Sequence, residues 1–87
     1  MNIEYDPAKA KSNLSKHGIS FAEAATALFD ENALAMEDID SEEENRWLLV
    51  GMSNHARLLT VVYTLREESI RIISARKATR KEVNNYA

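Results

Sequence analysis

Four arginines towards the C-terminal end of the chain are the residues whose type and spacing first indicate chemistry. They lie in or beside one predicted β-hairpin, "VVYTLREESIRIISARKA", and are Arg57, Arg66, Arg71 and Arg76. A guanidinium group is planar, permanently charged and suited to grip phosphate or carboxylate oxygens. In a chain with a formal net charge of −3, this cluster predicts a local site for an anion.

Histidine side chains ordinarily titrate near neutral pH, so the two histidines are the best candidates for proton transfer. His17 follows Lys16 at the predicted end of a helix, where a cation also complements the helix dipole. That position fits a structural role better than a catalytic one. His55 lies in a predicted turn and is interpreted as a surface residue.

A run of carboxylates precedes the hairpin and raises the question of a metal site. The segment AMEDIDSEEEN includes Glu37, Asp38, Asp40, Glu42, Glu43 and Glu44. Their spacing is not that of an EF-hand loop, and no glycine supplies the sharp turn of such a loop. We therefore predict no metal and no cofactor, and interpret residues 40–45 as a solvated acidic loop.

Length and composition limit what surrounds these residues. A chain of 87 residues fits one compact domain, predicted to span residues 1–87. The absence of cysteine excludes disulfides and thiolate zinc sites. No segment resembles a signal peptide or is apolar over the length needed to cross a bilayer, so a cytoplasmic protein without membrane association is expected.

Capping signals predict the helices that must position the candidate residues. Asp6 and Pro7 are typical of a helix start, and Gly18 is typical of a helix end. Ser20 to Glu23 forms a capping box, which opens a second amphipathic helix ending near Phe29. Another capping box, Thr79 to Glu82, predicts a short C-terminal helix.

Between these helices the hydrophobic period changes from 3.6 to 2, which is typical of strands. Four strands are predicted, over Ala33 to Asp38, Arg46 to Met52, Leu58 to Arg66 and Ile70 to Arg76. Short connections make neighbouring strands antiparallel. The predicted fold class is α+β, in the order α-α-β-β-β-β-α, with helices on one face of a four-stranded antiparallel sheet.

Alternation along the last two strands predicts which side chains face the helices. The inward set is Leu59, Val61, Tyr63 and Leu65 in the third strand and Ile70, Ile72 and Ser74 in the fourth. The outward set includes Thr64, Arg66, Arg71, Ile73 and Ala75. Arg66 and Arg71 are thus expected to be neighbours on the open face. Their repulsion predicts an anion between them: the acidic loop, the carboxylates of a partner, or a phosphate.

Three segments together resemble a known family. "YDPAKAKSNLSKHGISFAEA", "ENRWLLVG" and "VVYTLREESIRIISARKATRKE" are similar to the BrnT toxins of bacterial type II toxin–antitoxin systems, and the resemblance covers nearly the whole chain. It implies a RelE-like fold and a metal-independent endoribonuclease that arrests translation. It also implies a hetero-oligomer with a BrnA-type antitoxin, whose ribbon-helix-helix domain carries the complex to operator DNA.

The resemblance also implies roles for individual residues. Cleavage of RNA without a metal requires proton transfer to and from oxygen and stabilisation of charge on the phosphorane. Arg66 and Arg76 are the predicted phosphate contacts, Arg71 and Thr64 are further RNA contacts, and Arg57 is predicted to position RNA. His17 and Lys16 are candidates for proton transfer or charge stabilisation. Glu67 becomes a base if its turn folds over the site.

A different class of function also fits these residues. The chain would then be a binding module without catalysis, whose arginine-bearing sheet face docks an acidic helix of a partner protein. Direct DNA binding by this chain is disfavoured, because no helix carries the clustered Arg, Lys, Asn or Gln of a recognition helix.

Overall fold

Three helices and five strands make up the part of the chain that the computed structural model describes, residues 2–39 and 45–86. The strands are β1 (Asn2–Glu4), β2 (Leu34–Glu37), β3 (Arg46–Met52), β4 (Leu58–Arg66) and β5 (Ser69–Lys77). The helices are α1 (Pro7–His17), α2 (Phe21–Ala27) and α3 (Arg80–Tyr86). The predicted α+β class is therefore confirmed. None of the helices described is long and apolar enough to cross a membrane.

The sheet is five-stranded and mixed, so the prediction of four antiparallel strands was wrong in this detail. Its order is β1-β5-β4-β3-β2, and β1 pairs in parallel with β5. Strand β1 is only three residues long, with Ile3 opposite Ile70. A strand with one apolar residue shows no hydrophobic periodicity, which is why β1 was not predicted.

The helix ends behave largely as the capping signals predict. Asp6 accepts a hydrogen bond from the amide of Ala8, and Gly18 ends α1 in the left-handed conformation at φ 68°. Ser20 accepts a hydrogen bond from the amide of Glu23. Helix α2 ends at Ala27, before the predicted Phe29, whose side chain lies outside the core.

A bulge in β5 corrects the predicted inward and outward faces. Ile72 lies opposite Tyr63 while Ser74 lies opposite Val62, so Ile73 is an extra residue without an opposite partner. Beyond it the alternation is reversed. Ala75 is therefore buried where it was predicted to face outward, and Ser74 shares the outward face with Val62.

The core lies between the two N-terminal helices and one face of the sheet. Its buried members are Ile19, Phe21, Ala24, Ala27, Leu59, Val61, Ile72 and Ala75. The predicted inward residue Leu65 is exposed, since it lies near the end of β4 beyond the helices. Gly51 is required where α2 approaches β3, because a Cβ there would lie 2.5 Å from the carbonyl oxygen of Ala27.

Asn13 joins α1 to the free edge of β5. Strand β1 pairs only with residues 69–71, which leaves the backbone of Ala75 without a strand on that side. The Asn13 side chain donates to the Ala75 carbonyl at 2.8 Å and accepts from the Ala75 amide at 3.1 Å. It also donates to the carbonyl of Ile19 at 2.9 Å, so this buried amide is satisfied and fixes α1 beside the bulge.

The protein is predicted to be more stable with glycine in place of Ala56. It adopts a left-handed φ of 58° in the turn between β3 and β4, where a Cβ is unfavourable. We expect Ala56→Gly to raise the free energy of unfolding in urea by about 1 kcal/mol. Ala22→Gly, at an exposed position of α2, should lower it by a similar amount. If both variants lower the free energy of unfolding by the same amount, the backbone at Ala56 is not strained.

Candidate functional site

The four arginines divide between the two ends of the hairpin. Arg57 precedes β4 and Arg66 ends it, so the nine-residue strand separates them by about 30 Å. Arg76 lies opposite Thr60, nearer to the Arg57 end. Arg71 lies opposite Thr64, at the Arg66 end. A single phosphate therefore cannot contact all four.

Arg57 pairs with a buried carboxylate of α2. Its Nε donates to Glu23 at 2.9 Å and its Nη2 donates to the other carboxylate oxygen. The hydroxyl of Ser53 donates to the same carboxylate at 2.7 Å, and the imidazole of His55 lies 3.4 Å from it. Glu23, expected as part of a capping box, thus directs its side chain to the turn between β3 and β4. Arg57 therefore links that turn to α2. Arg66 lies at the other end of β4.

Arg76 is held by a carboxylate of α3. Its two terminal nitrogens donate to Glu82 at 2.8 and 3.0 Å. The hydroxyl of Thr60 and the amide of Thr79 each donate to Glu82 at 2.8 Å, and the Thr79 hydroxyl accepts from the Glu82 amide in the predicted capping box. Phosphate binding at Arg76 would require Glu82 to move away.

These two ion pairs predict instability in acid. Hydrogen bonds from Arg57 lower the pKa of Glu23 from 4.5 to about 2, and those from Arg76 lower the pKa of Glu82 to about 2. A folded-state pKa below the unfolded value stabilises the protein above pH 4.5, and this stabilisation is lost as the pH falls towards 2. For the buried Glu23 it amounts to about 3 kcal/mol.

We therefore expect the free energy of unfolding, measured in urea from pH 6 to pH 2.5, to fall steeply below pH 4.5. Glu23→Gln should flatten this dependence, since glutamine does not titrate there. Glu31→Gln, at an exposed position, should leave the slope unchanged. If the free energy of unfolding falls equally steeply below pH 4.5 in Glu23→Gln, in Glu82→Gln and in the wild type, these two carboxylates are not the cause of the instability in acid.

The other two arginines lie together on the open face, the sheet face opposite α1 and α2. Thr64 is opposite Arg71 and Arg66 is opposite Ser69, so the arginines are diagonal neighbours, as predicted. Arg71 has a carboxylate oxygen of Glu4 at 3.8 Å, and its side chain is 30% exposed. Arg66 is exposed and forms no ion pair within residues 2–39 and 45–86. Neither guanidinium is held by a pair of hydrogen bonds to one carboxylate, in contrast to Arg57 and Arg76.

Two further residues flank this pair. Arg46 lies opposite Thr64 on β3, so a third guanidinium belongs to the same cross-strand row. It was missed in the sequence, although the register of β3 against β4 would have identified it. Glu67 is exposed in the turn after Arg66 and adopts a left-handed φ of 50°.

A polar cleft lies between α1 and the bulge of β5. It has a volume of about 220 Å³ and is lined by Lys9, Ser12, Asn13, Lys16, His17, Ile73 and Ser74. The predicted residues Lys16 and His17 are thus brought together there. Lys9 was missed, although its separation of seven residues from Lys16 places both on one side of a helix. Ile73 is two residues from Arg71, about 7 Å along the strand, whereas Arg66 lies opposite Ser69, about 13 Å from Ile73 along the strand.

The described residues contain no group of three His, Asp or Glu side chains arranged to hold a metal ion. Four members of the acidic run, Asp40, Glu42, Glu43 and Glu44, lie outside those residues. The described geometry supplies cations and one imidazole, which suits an anionic substrate or partner.

Comparisons with known proteins identify the family of this chain. The family model for the ribonuclease toxin BrnT of type II toxin–antitoxin systems matches residues 5–82. The crystal structure of the Brucella abortus ribonuclease toxin BrnT is similar with a TM-score of 0.70 and 25% identity, over 92% of this chain and 99% of that one. No curated protein sequence matches. Because the matched residues include α1, the cleft and the arginine hairpin, this chain belongs to the BrnT family of ribonuclease toxins.

Proposed function

We propose that the chain is a metal-independent endoribonuclease that inhibits translation as the toxin of a type II toxin–antitoxin pair. The observation that supports this proposal is that two sets of basic side chains lie along β5. Arg66 and Arg71 lie on the open face towards the start of this strand, and Lys16 and His17 line the cleft at Ile73 and Ser74. Membership of a ribonuclease toxin family makes RNA the expected anion.

In this proposal the arginines act on the scissile phosphate. Arg66 and Arg71 donate hydrogen bonds to its non-bridging oxygens, and their charge stabilises the phosphorane as negative charge develops. Thr64, opposite Arg71, supplies a hydroxyl for a further RNA contact. Arg57 and Arg76 are not assigned to the scissile phosphate, because both already pair with carboxylates.

Proton transfer is assigned to titratable side chains of the cleft and of the turn after Arg66. Cleavage removes the proton of the ribose 2′-hydroxyl, which attacks the adjacent phosphorus, and a proton is delivered to the departing 5′ oxygen. His17 lines the cleft, and Glu67 is adjacent to Arg66 in the chain. These two residues are the proposed acid and base, and Lys16 adds charge beside His17.

A partner follows from the same proposal. The chain forms a hetero-oligomer with a BrnA-type antitoxin in the cytoplasm, and operator DNA is bound through the ribbon-helix-helix domain of that antitoxin. The family description supports an antitoxin in general, since a type II toxin is paired with one.

The test is cleavage of single-stranded RNA by the purified chain in excess EDTA, from low to physiological salt. We expect cleavage, and we expect Arg66→Ala to slow it about 10- to 100-fold, the effect of losing a hydrogen bond to a charged group. Arg80→Ala, which removes an exposed arginine from α3, serves as the control. Equal rates for the two variants would remove Arg66 from the site.

A second function, a binding module without catalysis, is favoured by one observation. Two of the four predicted arginines serve the structure, Arg57 through Glu23 and Arg76 through Glu82. A folded chain that leaves RNA intact at every salt concentration, yet binds its antitoxin, would establish this alternative.

A further inference from the structure

The open face carries an aliphatic row to which the proposed RNA cleavage assigns no role. Met36 of β2 lies opposite Leu48 of β3, and Leu48 lies opposite Val62 of β4. The Met36 side chain is 45% exposed, and Leu48 and Val62 are half-buried. These three residues, called the aliphatic row, form an apolar strip across three strands.

The aliphatic row is bordered on both sides along the strands. On one side, about 7 Å away, runs the row that contains Arg46 and Arg71. On the other side α3 contacts this face, where the Glu82 carboxylate accepts a hydrogen bond from the hydroxyl of the buried Thr60. The strip therefore lies between guanidinium groups and a helix, an arrangement that matches an elongated partner with apolar and acidic sides.

The chemistry of the strip selects a protein rather than RNA. Single-stranded RNA binds sheet faces by stacking its bases on aromatic rings, and the aliphatic row contains none. The aromatic pair of neighbouring strands, Trp47 opposite Tyr63, lies on the other face, because alternate residues of a strand point to opposite sides. Aliphatic groups beside arginines instead suit an amphipathic segment whose apolar residues are flanked by carboxylates.

We propose that the aliphatic row, together with Arg71, is the docking surface for an acidic amphipathic segment of the antitoxin. That the partner is the antitoxin rests on the proposed function. Arg71 then serves two ligands, the RNA phosphate and a carboxylate of the docked segment. Docking blocks RNA access by occupying the arginines, which gives a direct route to neutralisation without any change in fold.

The test uses the full chain and its purified cognate antitoxin, with the dissociation constant measured by calorimetry. Met36→Glu places a like charge against an acidic segment, and Val62→Thr removes apolar contact at nearly constant shape. We expect the first to weaken binding at least 10-fold and the second about 3-fold. Leu14→Glu is the matched control, since Leu14 is equally apolar, 52% exposed and on α1 away from this face. It should leave binding within 2-fold.

Cleavage of RNA without antitoxin is measured for the same variants, with thermal unfolding to verify that each is folded. Unchanged cleavage by Met36→Glu, combined with weakened antitoxin binding, supports the inference. Unchanged binding overturns it, as does a loss of cleavage without a loss of binding, which would assign the strip to RNA. A wild-type chain that fails to bind the antitoxin overturns it too. If no variant cleaves RNA but Met36→Glu still weakens binding, the inference stands and the proposed catalysis fails.

Discussion

Arg57→Ala is expected to lower the free energy of unfolding by about 1 to 3 kcal/mol, because it leaves the buried Glu23 acceptor without its charged donor. The substitution leaves the Glu23 carboxylate buried, charged and without its bidentate donor, because the Ser53 hydroxyl and the nearby imidazole of His55 do not replace a guanidinium. The measurement is urea unfolding at pH 7. Arg66→Ala, which removes an exposed arginine, is the control and should change stability by less than about 0.5 kcal/mol.

The double variant Glu23→Met with Arg57→Met separates a structural pair from an RNA contact. Removing both charges leaves only the buried Ser53 hydroxyl without its acceptor, so stability should recover most of the loss. RNA cleavage by the folded double variant should also be close to that of the wild type, because Arg57 lies at the far end of β4. A stable Arg57→Ala variant with impaired RNA binding would instead return Arg57 to the role predicted from the sequence.

His17→Ala is expected to slow RNA cleavage by about 10²- to 10⁴-fold, the usual contribution of a positioned proton donor or acceptor. His17 lines the cleft beside the bulge, whereas His55 lies next to Glu23 in the turn between β3 and β4. His55→Ala is therefore the matched control and should retain nearly full activity. Single-turnover cleavage rates of the wild type and of both variants are the measurement.

A purely structural His17 predicts a different result. Loss of a cation at the end of α1 would cost at most about 1 kcal/mol of stability and leave the cleavage rate of folded protein unchanged. Full activity of His17→Ala would remove the imidazole from the mechanism and leave Glu67 as the candidate for proton transfer. Added imidazole that restores part of the rate would favour the catalytic role over the structural one.

Local signals in the sequence determined much of the secondary structure. The cap at Asp6, the left-handed end at Gly18 and the capping box at Thr79 each depend on residues within one turn of the chain. Strands β3 and β4 agree with their predicted bounds because alternation acts between adjacent residues. The short turn then fixed the register that makes Arg66 and Arg71 neighbours.

The tertiary structure alone decided which arginines are held by carboxylates of the helices. Glu23 and Arg57 are 34 residues apart, and neither helix nor strand periodicity indicates which carboxylate meets which guanidinium. The parallel pairing of β1 and the extra residue Ile73 are likewise set by packing between distant segments. Residue types and local spacing thus identified the cations, but burial and pairing depend on contacts that form only when the sheet and helices come together.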